Sequence, residues 1–242
     1  MIHGIAMGGG LGVSVNGKYR ILSESVMIAM PETGIGFFPD VGGTTFLSQA
    51  PGKMGLYLAL TGARLKASDS LYAGLGTHHI PHAEWEKFKR DLQKTEDLEG
   101  LLKNYEKKLA PSELAQEQKR IDDHFGRDSV EAILKSLEKD ASLFGERTYE
   151  TLKSKSPLSL KIAFEQIIKH DKSSPFFETM KREFRISQHL MHSHDFYEGV
   201  RAVLVDKDQS PHWSPSTLEG ATSEMVSSYF ASLGEKELTP HI

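Results

Sequence analysis

A short apolar run from Ile2 to Met7 ends directly in three glycines, Gly8, Gly9 and Gly10, and "LGVSVNG" after them reads as a helix. Ile2, Ile5, Ala6 and Met7 together predict a buried strand. A strand that meets a helix across bare backbone has two uses. The glycines can simply permit a tight turn and close strand–helix packing. Alternatively, missing side chains let a ligand touch the backbone, where the N–H groups at the helix start point towards developing negative charge. Met1 begins inside this element, so further sequence upstream is expected. Downstream, "YRIL" and "VMIAM" predict more short strands, and most of the 21 glycines fall before about Ile80.

From about Pro81 the chain becomes charged and helical. Leu160, Ala163, Phe164, Ile167 and Ile168 form an apolar stripe, with Ser156 as N-cap and Pro157 at the first helical position. Phe177, Met180, Phe184 and Met191 predict a second stripe, and "SEMVSSYF" a last short helix. Between about Glu96 and Asp128 the helices are solvated, with charge runs such as Glu106 to Lys108 facing water. A chain of 242 residues with 38% apolar content buries a real core. Its formal charge of −4 gives no overall attraction for nucleic acid or an anionic membrane surface. It contains no cysteine, which excludes disulfides, thiolate metal sites and cysteine nucleophiles.

Several motifs fail on inspection. "GVSVNGK" has phosphate-loop spacing, but Tyr19 stands where a magnesium-binding Ser or Thr belongs and the lysine precedes a strand. "MGGGLG" lacks the glycine spacing of a dinucleotide fingerprint. His189, His192 and His194 beside Asp195 read as a surface cluster at a helix end rather than a metal site. "THHI" with His82 offers less. No serine sits in a nucleophile elbow.

"PETGIGFFPDV" is different, because it sets Glu32 and Asp40 among Ile35, Phe37 and Phe38 with few other polar side chains. Taken alone, Glu32 is an exposed carboxylate at a strand end and Asp40 an N-cap for "VGGTTFL". Taken together and buried, the acids acquire raised pKa values, so that one can serve as base while the other holds a proton.

"HGIAMGGGLGVSVNGKYRI", "IAMPETGIGFFPDVGGTTFL" and "LALTGARLKASDSLYAGLGTHHI", in that order, resemble the crotonase, or enoyl-CoA hydratase/isomerase, superfamily. Towards the other end, "DFYEGVRAVLVDKDQSPHWSP" is similar to the branch that hydrolyses 3-hydroxyisobutyryl-CoA. The resemblance implies an α/β fold: a crotonase-like ββα spiral, incomplete at its N-terminus, followed by a helical C-terminal region. Residues 1–95 would supply the last part of the spiral core, and 96–242 a mainly helical region completing and closing the acyl-CoA site. Earlier strands, contacts to the CoA nucleotide and a second oxyanion donor would come from upstream.

The resemblance further implies that Gly9 gives a backbone N–H to the thioester carbonyl, with Glu32 and Asp40 as catalytic and substrate-binding acids. Glu32 would activate water or attack the thioester carbon, and Asp40 would take the substrate's 3-hydroxyl. Hydratases of the family carry a first glutamate where this chain has Gly12, which argues for hydrolysis in valine breakdown over water addition. Two readings compete: another crotonase reaction, or a non-catalytic component of a larger assembly such as a mitochondrial ribosome. No metal or redox cofactor is implied, CoA entering as part of the substrate. The expected compartment is the mitochondrial matrix in a eukaryote and the cytoplasm in a bacterium.

Overall fold

A computed structural model describes residues 1–240. The run before the glycines forms strand β1 (Ile5–Met7), and Gly8 turns it into helix α1 (Gly9–Val15). Gly8 has φ 51°, a left-handed conformation that glycine adopts without steric cost. After β2 (Ile21–Leu22), strand β3 (Met27–Ala29) lies parallel to β1 in the register Ile5 to Met27 and Met7 to Ala29. This is a strand–helix–strand unit whose helix starts at the carboxyl end of β1. Ile5 is 75% exposed while Ile2 and Ala6 are buried, so the run alternates faces instead of being buried throughout. A two-stranded pair leaves one side of the pleat to solvent, and Ile5 points there.

Helices α2 (Gly43–Ser48), α3 (Met54–Thr61) and α4 (Ala67–Tyr72) follow, then β4 (His78–His79), which pairs in parallel with β2. The rest is helical: α5 (Trp85–Leu92), α6 (Leu98–Tyr105), α7 (Glu113–Gln116), α8 (Gln118–Phe125), α9 (Val130–Leu137) and α10 (Leu143–Lys153). Then come α11 (Pro157–Ile168), α12 (Phe176–Leu190), α13 (His194–Val200) and α14 (Ser223–Ser228). No helix among the described residues is long and apolar enough to cross a membrane. Glu106 to Lys108 are exposed, as their charge predicts.

The main core joins Leu11, Ile28 and Leu60 from the first part of the chain to Ile121, Phe125 and Ile133 from the helical part. Helix α11 begins as predicted, with Pro157 at its first position and the Ser156 hydroxyl accepting the Ser159 N–H at 3.0 Å. One of its faces, Leu160, Ala163 and Phe164, enters that core. Its other face, Leu158 and Ile162, packs with Phe38, Ile186 and Leu190 in a second cluster.

The stripe expected on α12 is offset. Phe177, Met180, Phe184 and Met191 are only partly buried, whereas Thr179, Glu183, Ile186 and Leu190 are fully buried. The helical period is right and the face is wrong, because a buried glutamate breaks the rule that polar residues face outward.

Ser156 does more than cap. Its Oγ also donates to Oδ2 of the fully buried Asp195 at 2.6 Å. Ser156→Ala is therefore expected to cost about 2 kcal/mol, the loss of a cap plus a donor to a buried carboxylate. Denaturant titration at pH 7 measures it, and a loss below about 0.5 kcal/mol contradicts the double role.

Candidate functional site

Because β1 and β3 run parallel, their carboxyl ends lie side by side, tied by the Gly8 N–H donating to the Ala29 carbonyl at 3.3 Å. Loops at that end of parallel strands are where α/β folds place ligands. From β3 the chain passes through Pro31 into a single 3-10 turn, Glu32–Ile35, closed by Gly36 at φ 69°. That turn is anchored on two sides. Thr33 Oγ1 donates to the Leu60 carbonyl at 3.0 Å on α3, and the Thr33 carbonyl accepts the Ser156 N–H at 3.2 Å ahead of α11.

Glu32 is thereby directed inward and is 6% exposed, not the solvent-facing carboxylate of a strand end. Its Oε1 lies against Gly8, where a β-carbon would come within 2.8 Å of it. Its Oε2 is buried without a hydrogen-bond partner. Burial pushes the carboxyl up to about 8, with the charge of Asp40 adding to the rise. A carboxylate kept dry and next to a second acid holds its proton at neutral pH.

Gly9 starts α1 and is exposed. Among the described residues, neither its N–H nor that of Gly10 is taken up by another backbone group. Both therefore remain available beside Gly8, the residue that Glu32 touches. Gly9, Glu32 and Asp40 belong to one neighbourhood: Glu32 borders the glycine junction, and Asp40 is close enough to act electrostatically on Glu32.

Asp40 departs from expectation in one respect. The residue flanking α2 is Gly42, and no side chain of the local sequence caps that helix. Instead the buried Glu183, from α12, accepts the Gly42 N–H at 2.7 Å, the Thr44 N–H at 3.1 Å and the Thr44 hydroxyl at 2.8 Å. Asp40 offers only its backbone carbonyl to the helix start, accepting the Gly43 N–H at 2.7 Å. Its half-buried carboxyl is left for other work and is raised by desolvation. Gln166 on α11 closes the arrangement by donating to the Pro39 carbonyl at 2.9 Å and to Thr44 Oγ1.

Three acids thus follow one another, Glu32, Asp40 and Glu183, and burial raises the carboxyl of each. Burial pushes Glu183 up to about 7, and Asp40 adds to that. Glu183 was not legible as a site residue. The available signal was the period of Thr179, Glu183, Ile186 and Leu190, which puts a glutamate on the buried face.

Gly12 is buried beneath Val41, and a β-carbon built on Gly12 would overlap the Val41 side chain. Val41 itself holds φ 53°, a conformation costly for a β-branched residue and met mainly at functional loops. A side chain at position 12 and Val41 in this pose are mutually exclusive.

The remaining sequence candidates disperse. His189 Nε2 contacts the Ala231 carbonyl at 3.2 Å, and His194 Nδ1 contacts Asp195 at 3.2 Å. Among the described residues no three His, Asp or Glu side chains converge as metal ligands. Lys18 lies on the exposed loop between α1 and β2.

A family model described as Enoyl-CoA hydratase/isomerase matches residues 1–230. A 3-hydroxyisobutyryl-CoA hydrolase, mitochondrial, from Danio rerio is 46% identical over 98% of the chain and 65% of its own length. Its counterpart from Homo sapiens is 42% identical, over 98% and 64% respectively. The chain thus spans just under two thirds of these curated relatives. Among solved structures, a carnitinyl-CoA dehydratase from Mycobacterium thermoresistibile has a TM-score of 0.90 at 35% identity, covering 97% of this chain and 67% of that one. An enoyl-CoA hydratase from Rhodobacter sphaeroides gives 0.90 at 34% identity, with coverage of 98% and 68%.

Proposed function

Since the chain belongs to the enoyl-CoA hydratase/isomerase family, we propose that it hydrolyses the thioester of 3-hydroxyisobutyryl-CoA, or a similar short 3-hydroxyacyl-CoA, to free acid and CoA. Its fold is the crotonase-like spiral followed by a helical region, shared with the two solved structures. The observation that carries the reading is the dry Glu32 carboxyl set against the glycine junction, beside Asp40 and with no space for a second glutamate at Gly12.

In this reading the thioester carbonyl oxygen lies at the free N–H of Gly9, whose dipole stabilises the negative charge that forms there. Glu32, once ionised, removes a proton from water attacking the carbonyl carbon, or attacks that carbon itself to give an anhydride that water then opens. Either route breaks the carbon–sulfur bond and leaves CoA as the thiol. Asp40 takes the substrate's 3-hydroxyl, which accounts for an acid spared from capping α2. CoA enters as substrate, and polarisation of the carbonyl comes from the backbone.

The two solved structures are those of a dehydratase and a hydratase, and the family resemblance attaches two glutamates to water addition. Gly12 and Val41 weigh against that chemistry here, while the names of the curated relatives favour hydrolysis. Valine breakdown is the pathway that fits this substrate. In a eukaryote we place the protein in mitochondria, the compartment named for those relatives.

The deciding experiment incubates the chain with 3-hydroxyisobutyryl-CoA and crotonyl-CoA, measuring free thiol and analysing the acyl products. Thiol release from the hydroxy substrate, reduced at least about tenfold by Asp40→Asn, is expected. An intact thioester that has gained water or shifted its double bond would overturn the proposal.

A further inference from the structure

Building on the reading of Asp40 as the group that receives the substrate hydroxyl, we propose that Glu183 is a positioning residue for Asp40, gripping its loop from α12 and fixing where the side chain stands. The Pro39–Thr44 loop is clamped at both ends. Gln166 holds the Pro39 carbonyl at 2.9 Å on one side of Asp40, and Glu183 holds the N–H groups of Gly42 and Thr44 at 2.7 and 3.1 Å on the other. Only Asp40 and Val41 lie between the clamps. A cap supplied locally would have drawn on Asp40 itself, the residue that normal capping preferences select. Delegating that task to a side chain 141 residues away frees the Asp40 carboxyl.

The arrangement is costly for a purely structural cap. Glu183 is 3% exposed, and burying a carboxylate is unfavourable where a neutral Ser or Asn would satisfy the same N–H groups. What the carboxylate adds is two acceptor oxygens, one on the Gly42 N–H and the other on the Thr44 N–H and hydroxyl. Its side-chain hydrogen-bond partners are neutral, Thr44 on α2 and Gln166 on α11. Arg185, also on α12, is engaged by Glu237 at 2.6 Å, and Arg182 acts on His170. Burial is the main cause that raises the Glu183 carboxyl, and the charge of Asp40 adds to it.

The test uses the full protein with ¹³C-carboxyl-labelled Asp and Glu, the Asp40 resonance being assigned by its loss in Asp40→Asn. In the wild type, Asp40 is expected to titrate above the ordinary aspartate range, as desolvation at a fixed position requires. In Glu183→Gln, which loosens the loop, the Asp40 midpoint is expected to fall back towards the ordinary aspartate value. CoA release by Glu183→Gln is expected to fall at least about tenfold, yet to change less than about twofold when the same substitution is made on Asp40→Asn. An equal loss with and without Asp40 would show Glu183 to be merely structural. An Asp40 midpoint in the ordinary aspartate range in the wild type would also overturn the proposal, even if Glu183→Gln fails to fold. Absence of CoA release in the wild type would instead sink the hydrolase reading and leave the titration result standing.

Discussion

Glu32→Gln is expected to lower CoA release by at least about a thousandfold while making the protein more stable above pH 5. The loss follows from chemistry, since glutamine keeps the shape of the side chain but can neither accept a proton nor form an anhydride; general-base contributions alone run to about 10²–10⁴. In the wild type the working form is the ionised one. With the carboxyl pushed up to about 8, turnover is expected to rise with pH through that value.

The gain in stability comes from the same burial. A carboxyl with a folded pKa near 8 against an ordinary 4.5 binds more protons folded than unfolded between those two values. Its contribution to stability is therefore lost steadily as pH rises through that window. Each pH unit costs about 1.4 kcal/mol, or on the order of 3 kcal/mol by pH 7. Wild type and variant should converge near pH 4.5 and separate towards pH 8. His79 and His170, whose pKa values are lowered, tilt both profiles alike and drop out of the difference. Glu198 and Glu237, held down to about 2, act below the window. Equal thermal stability of the two proteins at pH 5 and pH 8 would refute a buried, protonated Glu32. Wild-type rates in Glu32→Gln would remove it from the mechanism.

Much of this site was readable from local pattern. Glycines after an apolar strand marked the α1 junction, and two acids among phenylalanines marked the loop that meets it, because these signals concern neighbours in sequence. Ser156 and Pro157 likewise fixed the start of α11. What local pattern could not show was the partner of each segment. Asp40 had the right residue type and offset for a helix cap, and only the packing of α12 on α2 reveals that Glu183 already holds those N–H groups. The face of α12 was misjudged for the same reason, a buried polar residue being indistinguishable by hydrophobicity from an exposed one. Val41 over Gly12 depends on a backbone angle that no composition encodes.

The support behind Glu32 is equally non-local, and Gly199→Ala tests it. Helix α13 lies backbone to backbone on the 3-10 turn that carries Glu32, at two glycines facing opposite ways. A β-carbon at Gly199 would come within 2.5 Å of the Ile35 Cα, and one at Gly36 would overlap the Asp195 carbonyl. Asp195 in turn holds the Ser156 hydroxyl and the Ser214 N–H at 2.6 and 2.7 Å, locking α13 to the start of α11. Neither backbone can yield without moving the other, so one methyl group here must displace the turn. Overpacking against main chain on both sides is expected to cost roughly 3–4 kcal/mol, near the upper range for a single substitution. For a chain of this size that lowers Tm by about 10 °C. Gly74→Ala is the control: Gly74 also has a positive φ of 76° but open space around it, so only backbone strain of about 1 kcal/mol is expected. CoA release measured well below the Tm of each variant separates folding from function. Gly199→Ala should remain at least about tenfold impaired in kcat because Glu32 is displaced from the Gly8–Gly9 junction, whereas Gly74→Ala should match the wild type. Equal stability losses in the two variants, or full turnover in folded Gly199→Ala, would mean that α13 does not brace the catalytic turn.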